Sequence, residues 1–160
     1  ALGLAAGAYR NALNFSKERE QFGRPIAEFQ GLQWMLADMS VQLEAARALL
    51  HKAALSAGHN GSPFPDPTLA AQGKIFTSEM ALKVTTDALQ VFGARGYSRN
   101  YPMERLARDA RMFTIGGGTA QILRTVVASR ILESKLPQTR DGYTKLAEIE
   151  AARTDLQAAE

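Results

Sequence analysis

The sequence contains no cysteine, which excludes disulfide staples and thiolate-ligated metal. Histidine is nearly as scarce, limited to His51 and His59. Without a second pair of ligands these two read as surface side chains, and no metal site is expected. No apolar run approaches the roughly 20 residues a membrane-spanning helix needs, and no signal peptide is evident. A cytoplasmic protein without a membrane span is therefore expected. Charge of one sign is not in excess: 19 basic and 16 acidic residues leave a net charge of +3, too small to argue for nucleic acid. Segments of strand-like alternation are missing, as is any internal repeat. Ala1 opens inside an apolar pattern with neither start methionine nor cap, so the chain is expected to be cut from a longer one.

What is present is helical periodicity, in a chain of 160 residues that is 46% hydrophobic and fits one domain. A first helix over about 1–21 is rich in Ala and Gly, with Leu2, Ala6, Tyr9 and Leu13 at helical spacing. Gly23 and Pro25 end it. A second, about 26–57, carries a stripe of Leu32, Met35, Leu36, Met39, Leu43, Ala46 and Leu50. The Gly- and Pro-rich stretch 58–67 breaks the chain before a third helix, about 68–92, whose apolar positions are spread widely enough to predict burial on most sides. A short helix, about 102–110, precedes a glycine run, and a fourth long helix covers about 118–134. These elements predict an all-α fold, an antiparallel up-down four-helix bundle over 1–135. Residues 136–160, from Pro137 onward, read as a polar helical or frayed tail with a thin stripe of Leu146, Ile149 and Leu156, and Asp141 as its cap.

Four segments have chemical interest beside a plainer explanation. SKEREQFGRP (16–25) gathers Arg19, Gln21 and backbone amides where a guanidinium can offer paired donors to a phosphate, although a solvated helix end explains them too. Residues 90–111 interleave Arg95, Arg99, Arg105, Arg108 and Arg111 with Tyr97 and Tyr101. Glu104 and Asp109 among them favour ion pairs over nucleic acid, so no nucleic-acid partner is expected. TIGGGTAQ (114–121) lacks the Lys-Ser/Thr of a P-loop. Glycines ahead of a helix nonetheless leave N–H groups free for an anion or a carbonyl oxygen.

Together, KEREQFGRPIAEFQ (17–30), QVFGARGY (90–97), YPMERLARDAR (101–111) and IGGGTAQILR (115–124) stand in the order and spacing of the acyl-CoA dehydrogenases. The sequence resembles their C-terminal helical domain over about residues 1–135. The resemblance implies a bundle that oligomerises as a dimer or tetramer and binds FAD with two other domains. It implies that Arg19, Gln21 and Phe22 face the flavin pyrophosphate of a neighbouring subunit, and that Gln30, Gln90, Gly93 and Ala94 extend the dinucleotide site. Ala94 stands where members usually have a second glycine. Thr119 and Gln121 match the cofactor-contacting pair that opens the last helix, while Gly116, Gly117 and Gly118 line the acyl-CoA pocket.

In many members a glutamate at the position of Gly117 removes the α-proton of the thioester. Glycine cannot act as a base, so no catalytic residue is expected in this chain. The branches that resemble isovaleryl- and long-chain-type enzymes take their carboxylate from the first bundle helix, about two turns before the position of Ala1. The resemblance thus implies an FAD-dependent dehydrogenation of an acyl-CoA to a 2-enoyl-CoA, with electrons passed to an electron-transfer flavoprotein. The isolated chain is expected to be inactive. The rival is a non-catalytic, oligomerising helical scaffold descended from the family.

Overall fold

The computed structural model describes residues 1–134 and 140–158. Seven helices account for nearly all of the described chain: α1 Leu2–Glu18, α2 Gln30–Leu55, α3 Pro67–Phe92, α4 Ala94–Tyr97, α5 Met103–Phe113, α6 Ala120–Ile131 and α7 Arg140–Ala158. The chain divides into two compact units, Ala1–Val127 and Ala128–Glu160. The all-α expectation holds.

Within the first unit, α3 is the central element, packed by α1, α2, α4 and α5. Asp66 starts it, its carboxylate accepting the Leu69 N–H at 2.9 Å, with Pro67 at the first helical position where no amide is needed. The helix is buried on most sides, from Ala71 and Gly73 to Val91 and Phe92, as the spread of its apolar positions predicts, and Glu79, Lys83, Thr86 and Gln90 form one exposed stripe. α1 meets it through Ala5, Ala8, Ala12 and Ser16, all fully buried at three- and four-residue spacing. Such small side chains let the two helix axes approach closely. α2 contributes Leu36, Met39, Leu43 and Ala46 from its expected stripe. Full burial of Met39 and of Met103 on α5 stabilises the core by roughly 1.5–3 kcal/mol each.

The structure departs from the sequence expectation at several ends. α1 stops at Glu18, not near 21, because residues 20–25 fold into a two-residue hairpin pairing Glu20 with Pro25 and Gln21 with Arg24. Phe22 and Gly23 at its tip have φ of 54° and 76°, the pair of left-handed residues that a tight hairpin of this twist needs. The helix before the glycine run extends to Phe113. The short α5, not α6, packs beside both α1 and α3. Asp141 lies in the first turn of α7 and is not its cap. α7 leaves Tyr143 and Ile149 exposed and Leu146 half-buried; Pro137 and the side chain of Leu156 lie outside the described residues.

One buried group in the first unit is unsatisfied. Gly73 faces α2, since a Cβ there would lie 3.5 Å from Leu50 and 3.8 Å from Ala53. Thr77, one turn later on that face, is buried and its Oγ1 has no hydrogen-bond partner. Buried Ser78 and Thr85, by contrast, donate to the carbonyls of Ile75 and Ala81. Thr77→Val keeps the shape and removes the orphan hydroxyl, and is expected to raise stability by about 1 kcal/mol. A higher urea midpoint at unchanged slope checks this; a lower midpoint would show that the hydroxyl is stabilising.

Candidate functional site

At the C-terminal end of α3 an open cleft of about 330 Å³ is lined by Arg19, Gln21, Gln90, Gly93, Ala94 and Arg95, over a floor that includes Phe15 and Phe92. Five of the nine cofactor residues predicted from sequence meet here. The floor is set by aromatic packing: the Phe15 and Phe92 rings stack at 4.1 Å and 13°, and Tyr101 meets Phe92 edge-on at 5.5 Å. The chain leaves α3 through Gly93, at φ 57°, and turns into α4. Gly96 makes that return possible, because a Cβ there would stand 2.6 Å from the Leu89 carbonyl oxygen and 2.8 Å from Phe92 Cβ. No other residue fits without moving backbone.

The cleft is electropositive. Neither Arg19 nor Arg95 forms an ion pair with a described carboxylate. The Arg95 guanidinium rests 5.8 Å above the Phe15 ring, a cation–π placement that holds it at the cleft. Sequence reasoning grouped Arg95 with a charged run and missed it as a site residue. The usable signal was its place inside the FGARGY turn. Of the five arginines between 95 and 111, Arg108 takes a salt bridge, to Glu104 at 2.7 Å; ion pairing therefore explains less of that run than expected. Two unpaired guanidiniums beside two glutamine side chains suit a pyrophosphate. The volume sits near the lower limit for ligand pockets and takes only part of a dinucleotide.

The other predicted residues lie elsewhere. Phe22 is 93% exposed at the hairpin tip, where Phe29 meets it edge-on at 6.2 Å. Gln30 is exposed at the first position of α2. Thr119 and Gln121 stand at the start of α6, beside the glycine run. There Gly118 is tied to Lys74 of α3, whose ammonium donates to the Gly118 carbonyl. Lys74 and Gln90 are 16 residues apart on one helix, or about 24 Å at 1.5 Å per residue. The predicted cofactor residues thus gather in two separate groups, near opposite ends of α3.

The glycine run is a closed, carboxylate-free loop. Ala120 N–H donates back to the Thr114 carbonyl at 3.0 Å, and Gly116 N–H to Met112 at 2.8 Å. Gly117 and Gly118 have φ of 67° and 90°, conformations that side chains beyond glycine resist. A Cβ on Gly117 would meet nothing within 4 Å, so backbone conformation, not space, selects glycine there. The N–H groups of Gly117 and Gly118 have no partner within the described chain. Thr119 Oγ1 accepts the Ile122 N–H at 3.2 Å and caps α6. A second tie to α3 follows: Arg124 pairs with Glu79 at 2.7 Å, and this hydrogen bond holds the Glu79 carboxyl below its usual range. From Met112 to Gln121 there is no acidic residue, so nothing in the loop can accept a substrate proton.

Comparison with known proteins places these features. Residues 1–132 match the acyl-CoA dehydrogenase, C-terminal domain family. A 3-sulfinopropanoyl-CoA desulfinase of Advenella mimigardefordensis is 66% identical over 148 residues, 92% of this chain and 36% of that protein. A short-chain specific acyl-CoA dehydrogenase of Clostridium acetobutylicum is 44% identical over 131 residues, 82% of this chain and 34% of the relative. The butyryl-CoA dehydrogenase structure from Megasphaera elsdenii superposes with a TM-score of 0.76 at 43% identity, over 82% of this chain and 33% of that one. The chain therefore spans about a third of the length of these relatives. The chain belongs to the acyl-CoA dehydrogenase family, whose C-terminal domain it carries.

Proposed function

We propose that this domain serves a flavoprotein acting on an acyl-CoA thioester, and that the reaction is release of a sulfinate group from the acyl chain. The observation that carries this is the glycine run: Gly117, at φ 67° in a loop without any carboxylate, provides no base for α-proton removal. The 66% identity to a 3-sulfinopropanoyl-CoA desulfinase, against 44% to a short-chain dehydrogenase, supports the same choice. In such a release the C–S bond breaks, water supplies an oxygen to sulfur and a proton to carbon, and sulfite leaves. Substrate and water balance the products, so no electrons are exported and no electron-transfer flavoprotein is needed.

Dehydrogenation to a 2-enoyl-CoA is the second reading, favoured by the 44% relative and by the 43% identity to the butyryl-CoA dehydrogenase. It needs a carboxylate from outside this chain, in the manner of the branches with a relocated base, and an electron-transfer flavoprotein as acceptor. In both readings Gly116, Gly117 and Gly118 line the acyl-CoA pocket. There the unbonded N–H groups of Gly117 and Gly118 face the thioester carbonyl oxygen. For dehydrogenation FAD, when bound, would supply a hydride acceptor beside the acyl chain. Arg19 and Gln21, with Gln90, Gly93, Ala94 and Arg95, hold its pyrophosphate side; exposed Phe22 and Gln30 extend the contact, and Thr119 and Gln121 serve from the other half-site. Because the half-sites are about 24 Å apart in one chain, a homo-oligomer completes the cofactor site. An exposed heptad-spaced stripe on α2, Trp34, Val41, Ala48 and Leu55, supplies an apolar face for a second copy.

Three outcomes check this. The full-length protein, given 3-sulfinopropanoyl-CoA without an electron acceptor, should release sulfite without net flavin reduction. Bleaching by a saturated acyl-CoA with no sulfite from the sulfinate substrate would favour dehydrogenation, and bound flavin with neither activity would favour the scaffold. Arg19→Met should weaken FAD binding at least tenfold by equilibrium titration, since hydrogen bonds to charged groups contribute about 1.5–3 kcal/mol; unchanged affinity would remove Arg19 from the site. Light scattering should find a dimer or tetramer that Val41→Glu reduces to a smaller species, and a wild-type monomer at high concentration would exclude the assembly.

A further inference from the structure

Lys74 is half-buried on α3, and its ammonium donates to the backbone carbonyl of Gly118, a residue 44 positions later. The placement runs against simple helix electrostatics. Gly118 immediately precedes the cap of α6, the positive end of that helix, where a cation is disfavoured. Stabilising α6 therefore does not explain the lysine. Its effect falls on the loop. Gly117 and Gly118 are the least conformationally restricted part of the run, and the loop's own backbone bonds start only at Ile115, Gly116 and Ala120. The bond from Lys74 fixes the Gly118–Thr119 peptide, one of those that these leave loose. Because a trans peptide is planar, a carbonyl turned toward α3 forces the Thr119 N–H to point the opposite way.

We infer that Lys74 is a positioning residue: its hydrogen bond to the Gly118 carbonyl orients the Gly118–Thr119 peptide and thereby anchors the end of the loop whose Gly117 and Gly118 N–H groups meet the acyl thioester. The inference rests on the acyl-CoA reading for its catalytic consequence, but not for the loop ordering itself. The nearby Glu79–Arg124 pair is a separate tie, one turn further along α3. It holds α6 without touching the glycines, and so provides an internal control.

The test uses the full-length holoprotein with Lys74→Met, Lys74→Arg and Glu79→Gln. Lys74→Met should speed exchange of the bonded Gly116 and Ala120 amides at least tenfold and lower kcat about tenfold, with KM for the acyl-CoA within threefold and flavin content unchanged. Lys74→Arg, which keeps a charged donor, should restore both, and Glu79→Gln should leave kcat within twofold. Unchanged exchange in Lys74→Met, unchanged kcat despite faster exchange, or failure of arginine to restore either would overturn the assignment. If the wild type turns over neither a sulfinate-bearing nor a saturated acyl-CoA, the proposed function fails on its own. The exchange data then decide Lys74 alone: faster exchange rescued by arginine upholds its hold on the loop, and anything else removes it.

Discussion

The burial of α3 on all sides but the stripe of Glu79, Lys83, Thr86 and Gln90 is the constraint from which the other features follow. A helix satisfies its own backbone hydrogen bonds, so it can sit at the centre of a domain if its side chains permit close neighbours. Here Gly73, Ala81, Thr85 and Ala88 let α1, α2 and α5 come near, while Met80, Val84 and Val91 fill the remaining volume. Even the polar positions fit this arrangement, because Thr85 returns its hydroxyl to the Ala81 carbonyl. Packed on most sides, α3 is also a stiff rod, and the cleft and the glycine loop are fastened near its ends.

That geometry separates two kinds of work. At the C-terminal end the chain gathers positive charge: Arg19 is brought in by the end of α1, and Arg95 by the α4 turn that Gly96 permits. At the N-terminal end it gathers free backbone donors in a loop without an acid. Neither end contains a group that can take a proton from carbon near neutral pH. On the proposed reading the domain's own residues bind and orient, and water or a carboxylate outside this chain serves the proton chemistry.

Family membership and reaction are thus distinct questions. The fold and the four motifs belong to the acyl-CoA dehydrogenases. On the proposed reading, Gly117 separates the chemistry this domain supports from that of members with a glutamate there. Its left-handed conformation shows that the loop backbone is shaped around glycine and has not merely lost a side chain. The relatives include desulfinases and dehydrogenases, so one scaffold is found in proteins named for different reactions.

Much of this was legible in the residues. The three- and four-residue spacing of Leu36, Met39, Leu43 and Ala46 marked the buried face of α2, and Asp66-Pro67 marked the start of α3, because helical period and capping are local properties. The missing carboxylate at Gly117 was equally plain, since absence of an acid needs no coordinates. Pairings across the sequence were not legible. The hairpin tip at Phe22, the stacking of Phe15 on Phe92 that seats Arg95, and the partnerless Thr77 all depend on which surfaces meet. So does the reach of Lys74 to Gly118, across 44 residues. The sequence by itself determined the helices, the family motifs and the absence of an acid from the glycine run. Only the tertiary structure decided that the predicted cofactor residues divide between two ends of α3, because that distance is set by the length of a largely buried helix and by what packs around it.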